Sequence, residues 1–190
     1  MKKIVTAFLL FFFSINLANS LEGNKISNSR IKMLNGKYAK LSKYYEDGPV
    51  IINFWTTWWP NCEMQAAYLN QISENFIDAG LKVLGVNINS PSIINQVRPW
   101  TNKRKINFDI SLDPSKKIAE QFNVKGLPTL FLIDKNGIIL KEFSGFASGY
   151  EDNYLKEIKK YLDGENISYE DFKFEKQTKT RKDVSIDIDF

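Results

Sequence analysis

The chain has 190 residues, 43% hydrophobic, 14% aromatic and 25% charged, enough for one domain with a buried core and short extensions. No histidine and a single cysteine exclude imidazole acid–base catalysis, Ser-His and Cys-His nucleophile pairs, histidine-ligated metals and any disulfide within one chain. The net charge of +4 is small and its cations are interspersed with acids, so nothing points to nucleic acid.

The first twenty residues, MKKIVTAFLLFFFSINLANS, combine two lysines, an apolar run from Ile4 to Ile15, and Ala18 and Ser20 at the spacing a signal peptidase reads. They predict a secretory signal over 1–20, cleaved after Ser20, and a periplasmic protein. The competing reading is an uncleaved anchor, but the apolar run is shorter than the roughly 20 residues that span a bilayer. No cysteine follows it, so lipoprotein anchoring is not available.

A polar lead over 21–30 reads as mobile. In IKMLNGKYAKL, Asn35-Gly36 between alternating runs predicts a hairpin. GPVIINFW is a continuous apolar run after a turn signal and predicts a buried strand. Helical spacing from Cys62 to Ala79 stops at Gly80, and LKVLGVNIN is a second buried strand, so the two strands are expected to lie parallel with a right-handed crossover. A helix over Ser92–Lys103 broken near Pro99, a short strand in INFDISLD, and a helix opened by Asp113-Pro114 come next. PTLFLIDKNGIILKEFSG predicts a second hairpin turning at Lys135-Asn136-Gly137, and YEDNYLKEIKKYLDG an amphipathic helix closed by Gly164. Residues 165–190 are charge-rich without Gly or Pro and read as a disordered extension. The alternation in VSIDIDF leaves open extra strands or addition to a partner's sheet edge.

This order, with NFWTTWWPNC at 53–62 and GLPT at 126–129, resembles the TlpA/ResA-type thioredoxin-like proteins, the redoxin-related extracytoplasmic thiol-disulfide oxidoreductases. Their F-W-A-T-W-C-x-x-C is matched by Phe54, Trp55, Thr57, Trp58 and Cys62, and their G-x-P-T by Gly126, Pro128 and Thr129. The resemblance implies an α/β thioredoxin-like domain over 31–164, with a central mixed β-sheet flanked by helices and an N-terminal hairpin. It also implies a cis peptide before Pro128.

In that family two thiols share the work: one at a helix N-terminus attacks, and the second resolves the mixed disulfide. The resemblance places Trp59 where the attacking cysteine stands, Cys62 in the resolving position, and Gln65 where a proton-carrying glutamate is frequent. It therefore implies a redox-impaired protein that keeps a peptide or protein groove formed by Trp59, Pro60, Cys62, Leu127 and Pro128. The alternative is a monothiol oxidoreductase acting through Cys62, with a second thiol protein or a small thiol as partner. A peroxidase P-x-x-x-T-x-x-C is not present, since Trp55 and Trp59 fill its Pro and Thr positions.

Cys62 is expected either to react in that way or to pack as a small hydrophobe. Trp55 and Trp58 are read as parts of the core and rim, and Trp59 as a surface contact. No cofactor and no metal are expected: Asp109 and Asp113 read as solvation and helix capping, and Lys103, Arg104 and Lys105 as a solvated helix end. The expected partner is an extracytoplasmic protein or peptide. Membrane contact is expected only if the leader is retained.

Overall fold

Val50, Ile51, Ile52 and Phe54 have no accessible surface, as expected for a β-branched and aromatic run buried on both faces. In the computed structural model, which describes residues 20–175, this run is β3 of a seven-stranded mixed sheet. The elements are β1 (Arg30–Met33), β2 (Tyr38–Lys40), α1 (Ser42–Tyr45), β3 (Val50–Trp55), α2 (Pro60–Asn75), β4 (Lys82–Asn87), α3 (Val97–Lys103), β5 (Asp109–Leu112), α4 (Lys117–Gln121), β6 (Thr129–Ile133), β7 (Ile139–Ser144) and α5 (Tyr150–Gly164). A 3-10 segment, Pro91–Gln96, leads into α3. The strand order is β2-β1-β5-β4-β3-β6-β7, so this is the expected thioredoxin-like α/β sheet.

β3 runs parallel to β4, with Val50 opposite Lys82 and Trp55 opposite Asn87, and antiparallel to β6, with Phe54 opposite Thr129. That register brings the end of β3, the start of α2 and the start of β6 to one end of the central strands. Alternate residues serve opposite layers. Ile52 and Phe54 pack with Tyr44, Ile118 and Phe122 under α1 and α4, while Ile51 packs with Leu69 and Ile72 of α2, Phe76 just beyond it and Ile158 of α5. Each fully buried Ile, Leu or Phe here contributes about 2 kcal/mol.

Both expected hairpins form, but several boundaries differ. α2 starts at Pro60 rather than Cys62, because proline is preset for the first helical position and has no N–H to leave unpaired. It ends at Asn75, and the chain turns through Gly80, whose φ is +77°. Pro99 does not break the second helical segment. The change of helix type falls at Gln96 and Val97, and Pro99 is the third residue of α3, where an N–H has no intrahelical acceptor. Asp113 does cap α4, but from a distance: its Oδ2 accepts the N–H groups of Ile118 and Ala119, both at 2.9 Å, and Pro114 stays outside the helix. Gly164 is the last residue of α5 rather than the first beyond it.

The lead, expected to be mobile, is tied to the sheet. The N–H groups of Gly23 and Ile26 donate to the carbonyls of Ile139 and Gly137, each at 2.8 Å, and Glu22 pairs with Lys141. Beyond α5, residues 165–175 form no helix or strand, yet they are not a free tail, since Ile167, Tyr169, Phe172 and Phe174 pack on the layer of α2 and α5. Residues 1–19 of the leader expected over 1–20, and the alternating VSIDIDF, lie outside the described residues. Among the described residues no helix is long and apolar enough to cross a membrane.

Candidate functional site

Where β3 hands over to α2, the chain has to pass from a buried strand to a surface helix in four residues. Trp55 stays inside, its ring 4.5 Å from that of Trp100 on α3. Asn89 then fixes the loop: its Oδ1 accepts the Thr57 N–H at 3.0 Å, and its Nδ2 donates to Thr57 Oγ1 at 2.8 Å. Beyond that anchor Trp58 and Trp59 turn outward, 60% and 41% exposed, and stack edge to face at 5.6 Å.

Trp59 is the N-cap of α2, in extended conformation at φ −92° and ψ 118°, and its carbonyl accepts the N–H of Cys62 at 3.0 Å. Cys62 lies one turn in and is 1% exposed, packed with Trp55, Ala66 and half-buried Leu127. Burial pushes its thiol pKa up to about 11, against the opposing pull of bonds from Thr56. One turn further, Gln65 is fully buried and its Nε2 donates to the hydroxyl of Tyr154 on α5 at 2.8 Å. Burial likewise pushes Tyr154 up to about 12. Nothing in this row titrates near neutral pH.

The facing loop carries Leu127 and Pro128 joined by a cis peptide, as expected. Thr129 Oγ1 donates to the Gly126 carbonyl at 2.8 Å, and the Pro128 carbonyl accepts the Gly145 N–H at 2.7 Å. The structure therefore brings Cys62 and Leu127 into one cluster, leaves Trp59 and Pro60 on the surface, and buries Pro128 and Gln65. Asn89 and Tyr154 were not anticipated. An asparagine at a strand end and a tyrosine in an amphipathic helix are too common to signal such roles. Among the described residues a cavity of about 790 Å³ lies not at the loop but along α2, between Glu63 and Glu175.

Residues 23–142, more than half of the chain, match the AhpC/TSA family. The chain belongs to that family. Within the AhpC/TSA family it is of the TlpA/ResA type. It is 32% identical to the thiol-disulfide oxidoreductase ResA of Geobacillus kaustophilus over 127 residues, 66% of this chain and 71% of that protein. ResA of Bacillus subtilis is 30% identical over 124 residues, 65% of this chain and 68% of that one. Among solved structures, a DsbE-type thiol:disulfide interchange protein of Chlorobium tepidum superposes with a TM-score of 0.69 at 26% identity, covering 74% of this chain and 97% of its own. This AhpC/TSA-family member thus has the fold and sequence of a thioredoxin-like thiol-disulfide oxidoreductase, with Trp59-Pro60-Asn61-Cys62 at the start of α2.

Proposed function

We propose that this protein is an exported thioredoxin-fold relative of the thiol-disulfide oxidoreductases in which dithiol chemistry has been lost and peptide or protein binding at the site has been kept. One observation carries the reading. The chain's only thiol is 1% exposed, and that burial pushes its pKa up, away from the thiolate that attacks a disulfide. The position one turn earlier, at the helix start, holds an exposed indole instead of a second sulfur. Disulfide exchange within one chain needs an attacking and a resolving thiol, and neither Trp59 nor the neutral amide of Gln65 can supply an attack or move a proton.

What the site can do is present surface. Trp58 and Trp59 offer two rigid aromatic faces at the start of α2, and Cys62 one turn on clusters with Leu127 of the loop that in redox-active relatives pairs its backbone with an extended peptide. Aromatic anchors of this kind contribute large contact area at low entropic cost. The leader over 1–20 supports export, and the partner is an extracytoplasmic protein or peptide.

Insulin reduction tests the reading. The wild-type chain is expected at background, Trp59→Cys above it, and Trp59→Cys with Gln65→Glu higher still. Reduction by the wild type would instead establish monothiol chemistry at Cys62. Export is checked by the N-terminus of the protein recovered from a periplasmic fraction, expected at Leu21.

A further inference from the structure

The loop before Pro128 has a second neighbour. A cavity of about 370 Å³ opens between that loop and α4, with Ile88, Val124 and Leu127 as its apolar lining. It shares residues with the site described above. Leu127 also packs with Cys62, and Ile88, whose N–H donates to the Trp55 carbonyl at 3.0 Å, stands next to Asn89, the anchor of the Trp58–Trp59 loop. The charged lining is mostly cationic, Lys116 and Lys125 against one acid, Glu120. Both lysines are exposed, and among the described residues neither makes an ion pair.

The backbone here is fixed at one end and open at the other. Lys116 has a φ of +59°, a conformation that a residue with a side chain adopts at a cost. Its N–H donates to the Asp113 carbonyl at 2.9 Å, and its carbonyl accepts the N–H of Glu120 at 2.8 Å. In the loop, by contrast, the N–H groups of Lys125, Gly126 and Leu127 donate to no backbone carbonyl among the described residues. A Cβ added at Gly126 would meet nothing within 4 Å.

We propose that this cavity is the subsite of the peptide groove that takes an acidic side chain: an extended peptide seated at the Leu127–Pro128 loop places a glutamate or aspartate between Lys116 and Lys125. This rests on the peptide-binding reading above and names the class of peptide bound. Charge complementarity selects the occupant. A carboxylate meets two ammonium groups whose charge Glu120 only partly offsets, a lysine of the peptide meets repulsion, and a neutral side chain gains neither. The apolar lining takes the methylene stem of that side chain, which a free inorganic anion does not have.

The test uses three synthetic peptides of about ten residues, of one extended apolar sequence with glutamate, glutamine or lysine at the same spaced positions, each titrated into the full chain by fluorescence anisotropy. The glutamate peptide is expected to bind about fivefold more tightly than the glutamine peptide, and the lysine peptide more weakly than either. Raising the salt from about 0.05 M to about 0.5 M should narrow the spread, because the lysines are exposed. Lys116→Glu with Lys125→Glu, two surface changes, is expected to invert the order without moving the melting temperature. Lys37→Glu with Lys40→Glu makes the same charge change at the β1–β2 hairpin and should leave the order as it is. Equal binding of the glutamate and glutamine peptides overturns the proposal, as does inversion by the hairpin pair, which would assign the preference to the charge of the whole molecule. If all three peptides bind alike and all are lost with Trp59→Ala, the groove reading stands and the acidic subsite fails. If none binds the wild type, both fall.

Discussion

At Gln65 a neutral amide sits where a carboxylate would have no water, bonded to the Tyr154 hydroxyl. Gln65→Glu is therefore expected to add a pH dependence of its own to that of the wild type. Burial raises a carboxyl's folded pKa above its unfolded value of about 4.3. The variant's stability is thus fully present below that value and is lost as pH rises through the folded pKa, by about 2–4 kcal/mol between pH 4 and pH 8. Urea midpoints across that range check it, and a constant gap from wild type would refute it. Cys62 gives a second residue-level expectation. Its alkylation by iodoacetamide should be slow at pH 7 in the folded protein, climb toward pH 11, and reach free-thiol rates in urea. Trp59 and Cys62 stood out in the sequence because tryptophan and cysteine are scarce and clustered. Tyr154 and Asn89 did not, because each acts through one partner distant in sequence.

At the scale of elements, periodicity identified the strands and both hairpins, since β3, β4 and β6 are continuous apolar runs and Gly36 and Gly137 take the positive φ their turns need. Helix ends were harder to read, because what ends them is tertiary. The carboxylate of Asp113, buried and pushed above the ordinary range chiefly by desolvation, reaches five and six residues ahead to hold α4. Asp113→Ala should cost about 1–2 kcal/mol in chemical denaturation, and a loss below the measurement error would assign the capping elsewhere. On β4, Gly85 lies so close under the site that an added Cβ would meet Trp55 Nε1 at 2.9 Å and Ile110 Cδ1 at 2.7 Å. Gly85→Ala is expected to destabilise by about 1–3 kcal/mol and to shift the near-ultraviolet circular dichroism as the Trp55–Trp100 pair is displaced.

For the molecule as a whole, the segment after α5 is where composition misled most. Charge and the absence of Gly or Pro suggested a solvated tail, but four apolar side chains spaced through it, Ile167, Tyr169, Phe172 and Phe174, close the α2–α5 layer. A chain ending at Asn166 should lose about 3 kcal/mol and about 10 °C in melting temperature relative to one ending at Glu175; coincident melting curves would show that this cover adds nothing.

The bonds from Gly23 to Ile139 of β7 and from Ile26 to Gly137 in the turn before it join parts of the chain separated by more than a hundred residues. The lead leaves the ribosome early and finds its place late. Until the strand at Ile139 has been synthesised and folded back, the N–H groups of Gly23 and Ile26 lack the carbonyls that fix the lead. Contacts of such long separation slow folding and prolong the exposure of strand edges, so a chain stalled before β7 is the form of this protein most open to aggregation and to proteases.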